Sequence, residues 1–256
     1  MKFRIDSSKF FLREENRGSV TVMNLETNQV VYINSSGRKV FDHCDETVDF
    51  DEFIDSLNYP GVSREKLCGD YKKLLIKLYA NGFAKLTDIE RRTEDGVFAA
   101  KEEDVEALSK FLKASCANAN SCAVAASPVY YSRFAVYSHI TAGSTPYFYV
   151  QNGGKIIAAV DAQTFSLGMG ESVITLNSFF FDEKLSAEEC AAAMKEIISF
   201  TASVARQSAN KLRYMYMNSR QDKIVEMLVQ NGFKKTAVLE KEINGSRDLS
   251  LYDLFI

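Results

Sequence analysis

Histidine and cysteine, the side chains that most often bind metals or act as nucleophiles, are few in this sequence. The chain of 256 residues has two histidines, His43 and His139, and five cysteines with no CxxC pair. His43 and Cys44 are adjacent, but neighbouring residues on a helix point about 100° apart, which does not suit a shared metal ion. We therefore expect no metal site, and we expect the cysteines to be buried structural thiols that stay reduced.

Acid–base chemistry has equally few candidates. The sequence contains no GxSxG, no Walker loop, no HExxH and no GxGxxG after a strand, so the enzyme classes that use these motifs find no support. His139 is a candidate general base, although a lone histidine is more often structural. Ser178, in a strand predicted over residues 171–181, could relay a proton through water. These two residues are the catalytic candidates.

Charge and hydropathy exclude several kinds of partner. The 31 basic and 34 acidic residues are spread evenly along the chain, with a net charge of −3 and a pI of about 5.6. A phosphate backbone demands a basic excess, so we expect no nucleic-acid partner. No apolar stretch approaches the roughly 20 residues of a membrane helix, and the initial MKFRIDSSKFFLREE has no apolar signal region. We expect a cytoplasmic protein without membrane contact.

The first half of the chain is predicted to form a small domain over residues 1–88. Residues 3–33 are rich in β-branched and aromatic side chains and predict three strands. The apolar spacing then becomes helical in three stretches that begin near Ser35, Asp49 and Ser63, residues that can cap a helix. Three strands followed by three short helices is a winged-helix-like order.

Three local features of this half match a known family. They are Ile33-Asn34 at the end of a strand, Asp42-His43-Cys44 at the end of a helix, and Leu78 followed by Gly82-Phe83 at the end of the last helix. With these features the segment resembles PqqD-like domains, which recognise the leader peptides of ribosomally made peptides. The resemblance implies that a precursor or leader peptide adds as an extra strand beside Gln29–Ile33.

The residues expected to bind that peptide are Val31, Ile33 and Tyr71. Tyr71 is the candidate for the wall of the peptide groove because its hydroxyl tolerates a wet rim. Leu74 and Leu78 are expected to fill the core instead. We expect Tyr71→Ala to weaken peptide binding without unfolding the domain.

The second half has a different order of elements. The charged residues 89–95 predict a linker, and residues 96–256 predict the order β-α-α-β-β-β-α-β-α-β-β with a hairpin at Asn152-Gly153-Gly154. This order, and the Asn231-Gly232-Phe233 ending of a helix, resemble the GNAT N-acetyltransferase fold. The resemblance implies an α+β fold with a mixed, mostly antiparallel sheet flanked by helices. It also implies acetyl-CoA or another acyl-CoA as donor and an amine as acceptor.

In that family, the helix that follows the strand at 171–181 binds the donor pyrophosphate at its N-terminus. The resemblance places the cofactor contacts at Phe181, Glu188, Glu189, Cys190 and Asn218. Here Glu188 and Cys190 replace the family's glycines, Leu185 replaces its cation, and a capping box already uses N–H groups that a phosphate needs. Two alternatives therefore stay open for the cofactor site: it is degenerate, or it binds the cofactor. Asn218 likewise either contacts the cofactor or serves as a helix cap or turn residue.

The acceptor cleft is expected on a helix near Pro128–Ile140. The residues that could line it are Tyr130, Tyr131, Arg133 and Tyr137. The alternative is that these side chains only pack an amphipathic helix and extend their polar tips to water. Leu228 replaces the family's tyrosine acid, and the strand at 171–181 has no carboxylate that could serve as base.

Two hypotheses about function follow from the sequence. The leading one is an acyl-CoA-dependent N-acyltransferase-like protein with a peptide-recognition module, acting in peptide modification. The alternative is a non-enzymatic peptide-binding protein whose GNAT-like half has lost acetyl-CoA binding. A winged-helix transcription regulator is disfavoured by the acidic first half. The sequence does not determine turnover, the acceptor or the oligomeric state.

Overall fold

The structure is a computed structural model. It describes residues 1–88, 92–123, 125, 127–143, 145–166, 172–206 and 208–256. The chain divides into two compact units, Met1–Arg91 and Arg92–Ile256. Residues 89–91 of the predicted linker lie outside the described residues.

The first unit contains two three-stranded antiparallel sheets, two α-helices and a 3₁₀ helix at Gly37–His43. Its elements are β1 (Lys2–Ile5), β2 (Phe10–Glu14), β3 (Val20–Asn24), β4 (Val30–Ile33), β5 (Thr47–Asp49), α1 (Phe50–Ser56), α2 (Arg64–Ala80) and β6 (Ala84–Thr87). One sheet has the order β5-β1-β6 and the other β2-β3-β4. The predicted caps Asp49 and Ser63 accept N–H groups of the first turns of α1 and α2.

The prediction of three strands in this unit was incomplete. The Asp6 carboxylate accepts the Ser8 N–H and starts a 3₁₀ turn at Ser7–Lys9, which breaks the predicted first strand in two. Its first part, β1, pairs with β5 and β6 instead of continuing into β2. Six short strands in two sheets result, and the winged-helix and PqqD-like assignments stay predictions.

The second unit is built on a seven-stranded sheet of order β12-β13-β11-β10-β9-β8-β7. Its elements are β7 (Gly96–Ala99), α3 (Val105–Ser115), α4 (Arg133–Ala142), β8 (Tyr147–Asn152), β9 (Lys155–Ser166), β10 (Ser172–Phe181), α5 (Ala187–Ala205), β11 (Lys211–Tyr216), α6 (Asp222–Gln230), β12 (Lys234–Ile243) and β13 (Arg247–Phe255). This order agrees element for element with the prediction. The expected mixed, mostly antiparallel sheet flanked by helices is confirmed, since β10 and β11 are the only parallel pair among the strands of the described residues.

The two faces of this sheet pack against different helices. Side chains of α5 and α6 cover one face, around Met194, Ile197 and Leu228. Side chains of α3 and α4 cover part of the other face, around Leu108 and Val136. Because successive strand residues alternate between the faces, each strand contributes to both cores.

The parallel pair β10 and β11 is joined only along part of its length. Their register runs from Val173 opposite Lys211 to Leu176 opposite Tyr214 and ends there. A β-bulge interrupts β10 between Leu176 and Ser178. From Ser178 to Phe181, β10 keeps its pairing with β9 while its other edge is free of β11. Phe179 in this stretch instead exchanges backbone hydrogen bonds with Cys122, at the carboxyl ends of two parallel strands, where ligands bind in open sheets.

Candidate functional site

A row of polar side chains crosses the α3–α4 face of the large sheet just after the bulge. Asp161 in β9 lies opposite Tyr147 in β8 and opposite Ser178 in β10. Residues directly opposite each other in a sheet point to the same face, so the three side chains are neighbours. Ser178 is fully buried, with 0% of its surface exposed. A half-buried carboxylate with polar neighbours on an apolar face is a candidate functional site.

Asp161 is the centre of this row. The Ser178 N–H donates to Asp161 Oδ1 at 2.6 Å. Burial raises the pKa of Asp161 to about 6, and the hydrogen bonds from Ser178 keep it from rising further. A carboxylate with a pKa near 6 is mostly ionised at pH 7 and is a much better proton acceptor than an ordinary aspartate.

His139 and Tyr131 adjoin this row, through Tyr147 and Ser178 respectively. His139 Nδ1 lies 2.7 Å from the Tyr147 hydroxyl, and the two rings stack at 6.0 Å. Burial lowers the pKa of His139, which keeps its ring neutral at pH 7. Burial and the charge of Asp161 raise the pKa of Tyr131 to about 12 and raise that of Tyr147 further. Asp161 is therefore the group of this cluster that carries a charge at neutral pH.

His139, Ser178 and Tyr131 were predicted from the sequence, whereas Asp161 was not. These three predicted residues come together around a carboxylate that was not singled out. The signal was present: Asp161 interrupts the apolar strand Lys155–Ser166, on the same face as buried Ala159. Burying a carboxylate inside an apolar strand is costly unless it is hydrogen-bonded. For Asp161, the hydrogen bond comes from Ser178 in the neighbouring strand.

The other residues predicted for the acceptor cleft do not all reach the row. The helix predicted near Pro128–Ile140 is a 3₁₀ turn followed by α4, which Ser132 caps by accepting the Ala135 N–H. Tyr130 points to solvent and is 64% exposed. Arg133 Nη1 lies 3.9 Å from Glu106 Oε2, and Tyr137 is half-buried in the α3–α4 core.

The residues predicted to bind the cofactor are not gathered into one cradle. Glu189 exchanges capping hydrogen bonds with Ser186, and Glu188 is exposed beside it. The Cys190 side chain is buried in the core and its N–H donates to the Ser186 carbonyl, so its contact with a cofactor stays a prediction. The Asn218 side chain accepts the Arg220 N–H, which is the role of a turn residue.

Phe181 is the exception, because its backbone lies at the free edge of β10. The Phe181 side chain is fully buried, but its N–H and C=O groups bond to side chains of residues 118–122. We name these five residues the 118–122 segment. It occupies the edge that the end of the β10–β11 pairing leaves free.

The residues predicted to bind a peptide lie in the first unit. Val31 and Ile33 are buried, whereas Val30 and Tyr32 alternate with them and are exposed. The Asn24 N–H donates to the Gln29 carbonyl, so by alternation the backbone groups of Val30 and Tyr32 point away from β3. Among the described residues no strand pairs with that edge of β4.

A cavity of about 440 Å³ lies beside this edge. Its walls include Tyr32 and Ile33 of β4, Gly37, and Tyr71 and Leu74 of α2. Leu74 is half-buried and lines the cavity, contrary to the expectation that it fills the core, whereas Leu78 is fully buried as expected. The structure thus puts an open strand edge next to a groove.

Tyr71 is more deeply buried than a residue of a wet rim. It is 4% exposed, packs edge-on against Phe53 at 5.2 Å, and its hydroxyl donates to the Ser36 carbonyl at 2.7 Å. Truncating such a side chain costs about 3–5 kcal/mol. The expectation that Tyr71→Ala leaves the domain folded is corrected for this reason, and Tyr71→Phe is the informative change.

Metal binding, membrane-spanning helices and the state of the cysteines were also predicted from the sequence. Within the residues that the structure describes, no cluster of three or more His, Cys, Asp or Glu side chains could hold a metal ion. None of the described helices is long and apolar enough to cross a membrane. All five cysteines are free thiols, and Cys116 and Cys190 are buried.

Comparisons with known proteins give matches to solved structures alone. No family model matches the chain, and no curated protein does. The ribosomal-protein-S5-alanine acetyltransferase from Vibrio fischeri is 16% identical over 62% of this chain and 91% of its own, with a TM-score of 0.47. The ribosomal L7/L12 alpha-N-protein acetyltransferase in complex with coenzyme A is 13% identical over 64% and 97%, with a TM-score of 0.48. A GNAT-family acetyltransferase from Streptococcus pneumoniae is 13% identical over 64% and 100%, also with a TM-score of 0.48. At these identities and TM-scores the likeness carries no inference about chemistry.

Proposed function

We propose that the second unit is N-acyltransferase-like and that Asp161 receives the proton of an amine acceptor. The observation that carries this proposal is the row of Tyr147, Asp161 and Ser178 on one face of the sheet, with the pKa of Asp161 raised to about 6. An amine must lose a proton when it forms an amide, and a positioned base of moderate pKa accelerates that step. Asp161 supplies the carboxylate that the strand at 171–181 lacks.

The surrounding residues have separate parts in this proposal. The Ser178 N–H donates to Asp161 Oδ1 and holds the carboxylate in place for the acceptor. The neutral rings of Tyr131, Tyr147 and His139 limit the access of water and present aromatic faces to a cation. An ammonium group is attracted by the Asp161 charge before it gives up its proton.

The pyrophosphate of acyl-CoA, the donor implied by the resemblance, does not fit the first turn of α5. The 118–122 segment occupies the free edge of β10, and the first turn of α5 is already capped and carries Glu188 and Glu189. Two carboxylates repel a pyrophosphate at a helix N-terminus.

Amine binding at Asp161 can be tested without turnover. Carbon-13 NMR of the aspartate carboxyls is expected to find one with a pKa of about 6 that disappears in Asp161→Asn. Adding butylamine should lower that pKa, because a bound cation favours the ionised carboxylate. The matched control is Asp95→Asn, an exposed aspartate of the same unit, which should leave the titration unchanged. A pKa that does not respond to butylamine would contradict the proposal.

A second function, peptide binding by the first unit, is supported by the open edge of β4 beside its cavity. We propose that an extended precursor or leader peptide pairs with the outward backbone groups of Val30 and Tyr32 and places side chains against Tyr71 and Leu74. Its test is Val30→Pro, which removes an outward N–H while the ladder to β3 stays intact. Titration with a precursor peptide encoded beside the gene should show binding by Val30→Ala and none by Val30→Pro.

The non-enzymatic alternative is favoured by one observation, the occupied edge of β10. If that edge is closed permanently, the second unit retains a ligand site at Asp161 without a donor. Calorimetry of the full chain with acetyl-CoA tests this alternative, because a permanently closed edge predicts no binding.

A further inference from the structure

The seven-stranded sheet ends at β7, and the outer side of this strand is open. Ala99 lies opposite Phe148 in β8. The next residue, Ala100, donates its N–H to the Tyr147 carbonyl at 2.8 Å. Because the backbone groups of an antiparallel strand alternate in direction, the N–H and C=O groups of Ala99 and Val97 point away from β8. Among the described residues, no strand pairs with that side of β7.

A cavity of about 620 Å³ lies between this open edge and α5. Val97 lines it from β7, and its other walls belong to α5, among them Glu196, Ser199 and Phe200. The Phe200 ring packs edge-on against Phe148 at 6.1 Å and provides an apolar wall. Residues directly opposite each other in a sheet point to the same face. The side chain opposite Val97 in an added strand would therefore enter this cavity.

A second cavity, of about 510 Å³, continues the groove past the start of β7. The two cavities share Ala192 and Glu196 of α5. The second cavity is also lined by Asp95 and Glu189. Asp95 is two positions before Val97, so it meets the residue of an added strand that is two positions from the one opposite Val97.

The charge of this groove is mostly negative. The described residues that line the two cavities include three acidic residues, Asp95, Glu189 and Glu196, and one lysine, Lys195. Lys195 lines the first cavity, whereas the described walls of the second contain no basic residue. A surplus of negative charge beside an open strand edge favours a cationic partner over a neutral or an acidic one.

We propose that β7 and α5 form a docking site for an extended, basic segment of a partner protein, which adds to the large sheet as a further strand. Main-chain hydrogen bonds to Val97 and Ala99 provide affinity, and the two cavities select the side chains. An apolar side chain opposite Val97 fills the first cavity, and a lysine or arginine two positions away occupies the acidic second cavity. Val97 packs on the α5 side of the sheet, whereas Asp161 shares the other face with Tyr147. The docking site is therefore separate from the Asp161 site and goes beyond the proposed function.

NMR titration of the full chain with the peptide acetyl-TKTVTKT-amide is the test. This peptide has a lysine two positions to each side of its valine, so both strand directions present the same side chains to the groove. The amide signals of Val97, Ala99 and Glu196 should shift together, with a Kd below about 1 mM. The acidic peptide acetyl-TETVTET-amide should bind at least about tenfold more weakly, because its carboxylates meet those of the second cavity.

Two variants separate the backbone contacts from the charge. Ala99→Pro removes an outward N–H and puts a ring where the added strand would lie, so it should weaken binding of the lysine peptide at least about tenfold. Its control, Ala99→Ser, keeps the N–H and should bind like wild type. Glu196→Gln should weaken binding of the same peptide about threefold. The matched control is Glu240→Gln, an exposed glutamate of β12, which should leave the affinity unchanged.

The wild-type shifts and Glu196→Gln keep the proposal testable if Ala99→Pro does not fold. Shifts confined to Val30 and Tyr32 would put the peptide on β4 of the first unit and overturn the proposal. Equal affinities for the two peptides, or no shifts at about 5 mM of the lysine peptide, would overturn it as well. So would self-association of the free protein, measured by sedimentation, that Ala99→Pro abolishes, since a second copy would then occupy this edge.

Discussion

Asp161 and Asp253 are two carboxylates in the same sheet whose surroundings differ. Asp253 in β13 is 2% exposed and accepts hydrogen bonds from Nε and Nη2 of Arg213, at 2.7 and 2.8 Å. Lys211 Nζ lies 3.5 Å from the same carboxylate. Hydrogen bonds and charges from these cations lower its pKa in spite of burial. Asp161 is bonded to Ser178, and within the described residues no basic group contributes to its pKa, which burial raises to about 6.

The difference separates a structural carboxylate from one available for chemistry. Asp253 has its charge neutralised by a bidentate partner, and a pair of this kind holds strands together. Asp161 keeps a charge that the fold does not neutralise, at a cost in stability. A residue that costs stability where it stands is the stronger candidate for a functional role.

The largest expected effect is that of Asp253→Asn. Breaking a buried pair leaves the Arg213 guanidinium without its counter-charge, which typically costs about 3–5 kcal/mol, reduced here because Arg213 is partly exposed. Urea unfolding at pH 7 should show a loss of about 2–4 kcal/mol. Unchanged stability would mean that the pair between β11 and β13 contributes no more than a surface ion pair does.

Asp161→Asn should increase the free energy of unfolding at pH 7, whereas Asp253→Asn decreases it. The raised pKa of Asp161 means that ionisation destabilises the folded state, and a neutral amide of the same shape relieves that cost. The free energy of unfolding should rise by about 1–3 kcal/mol. The same urea experiment measures it, and destabilisation by Asp161→Asn would contradict the comparison with Asp253.

The pH dependence should follow the same contrast. Between the unfolded pKa of about 4 and the folded pKa of about 6, the folded state binds more protons at Asp161, so stability falls as pH rises. Asp253, whose folded pKa is lowered, contributes stability above about pH 4 and loses it in more acidic solution. Wild-type protein should lose about 2–3 kcal/mol relative to Asp161→Asn between pH 4 and pH 7, measured by urea unfolding at each pH.

The smallest effect is expected from Ser178→Ala. The hydroxyl helps to hold the Asp161 pKa down, but the Ser178 N–H bond to Asp161 survives the substitution. The pKa of Asp161 should therefore rise above 6, with a change in stability within about 1 kcal/mol. The NMR titration that locates Asp161 measures this, and a fall in the pKa would show that the hydroxyl has another role.

The order of elements in the second unit could be predicted because its signals are local. The Asn152-Gly153-Gly154 turn gives the hairpin, and Ser186 with Glu189 gives the start of α5. Each of these depends on residues within a few positions of one another. Such signals determine where elements begin and end without knowledge of how the strands pair.

Asp161 could not be placed by local signals because its partners depend on register. Without a bulge, Asn177 would lie opposite Asp161, since Leu176 pairs with Ala162. The extra residue at the bulge puts Ser178 there instead. A one-residue shift of this kind changes which side chain meets the carboxylate, and it is visible only in the folded sheet.

The first unit was harder to predict because its strands are short and divide between two separate sheets. The first of the three predicted strands covers both β1 and β2, and its residues are typical of a strand. Asp6 nevertheless starts a 3₁₀ turn in its middle. β1 then pairs with strands more than 40 positions away in sequence. Composition predicts that these residues are strands and carries no information about that choice of partner.

The open edge of β4 also bears on how the protein behaves at high concentration. Its outward positions carry Val30 and Tyr32, with 59% and 62% of their surfaces exposed, where other sheets place lysine, proline or a bulge to stop edge-to-edge growth. Cross-strand Met23 and Phe11 extend the same apolar row. Two molecules could join their sheets through this edge, the first step of aggregation. A bound peptide strand would cover this edge and prevent such pairing, so the partner would also slow aggregation of the protein.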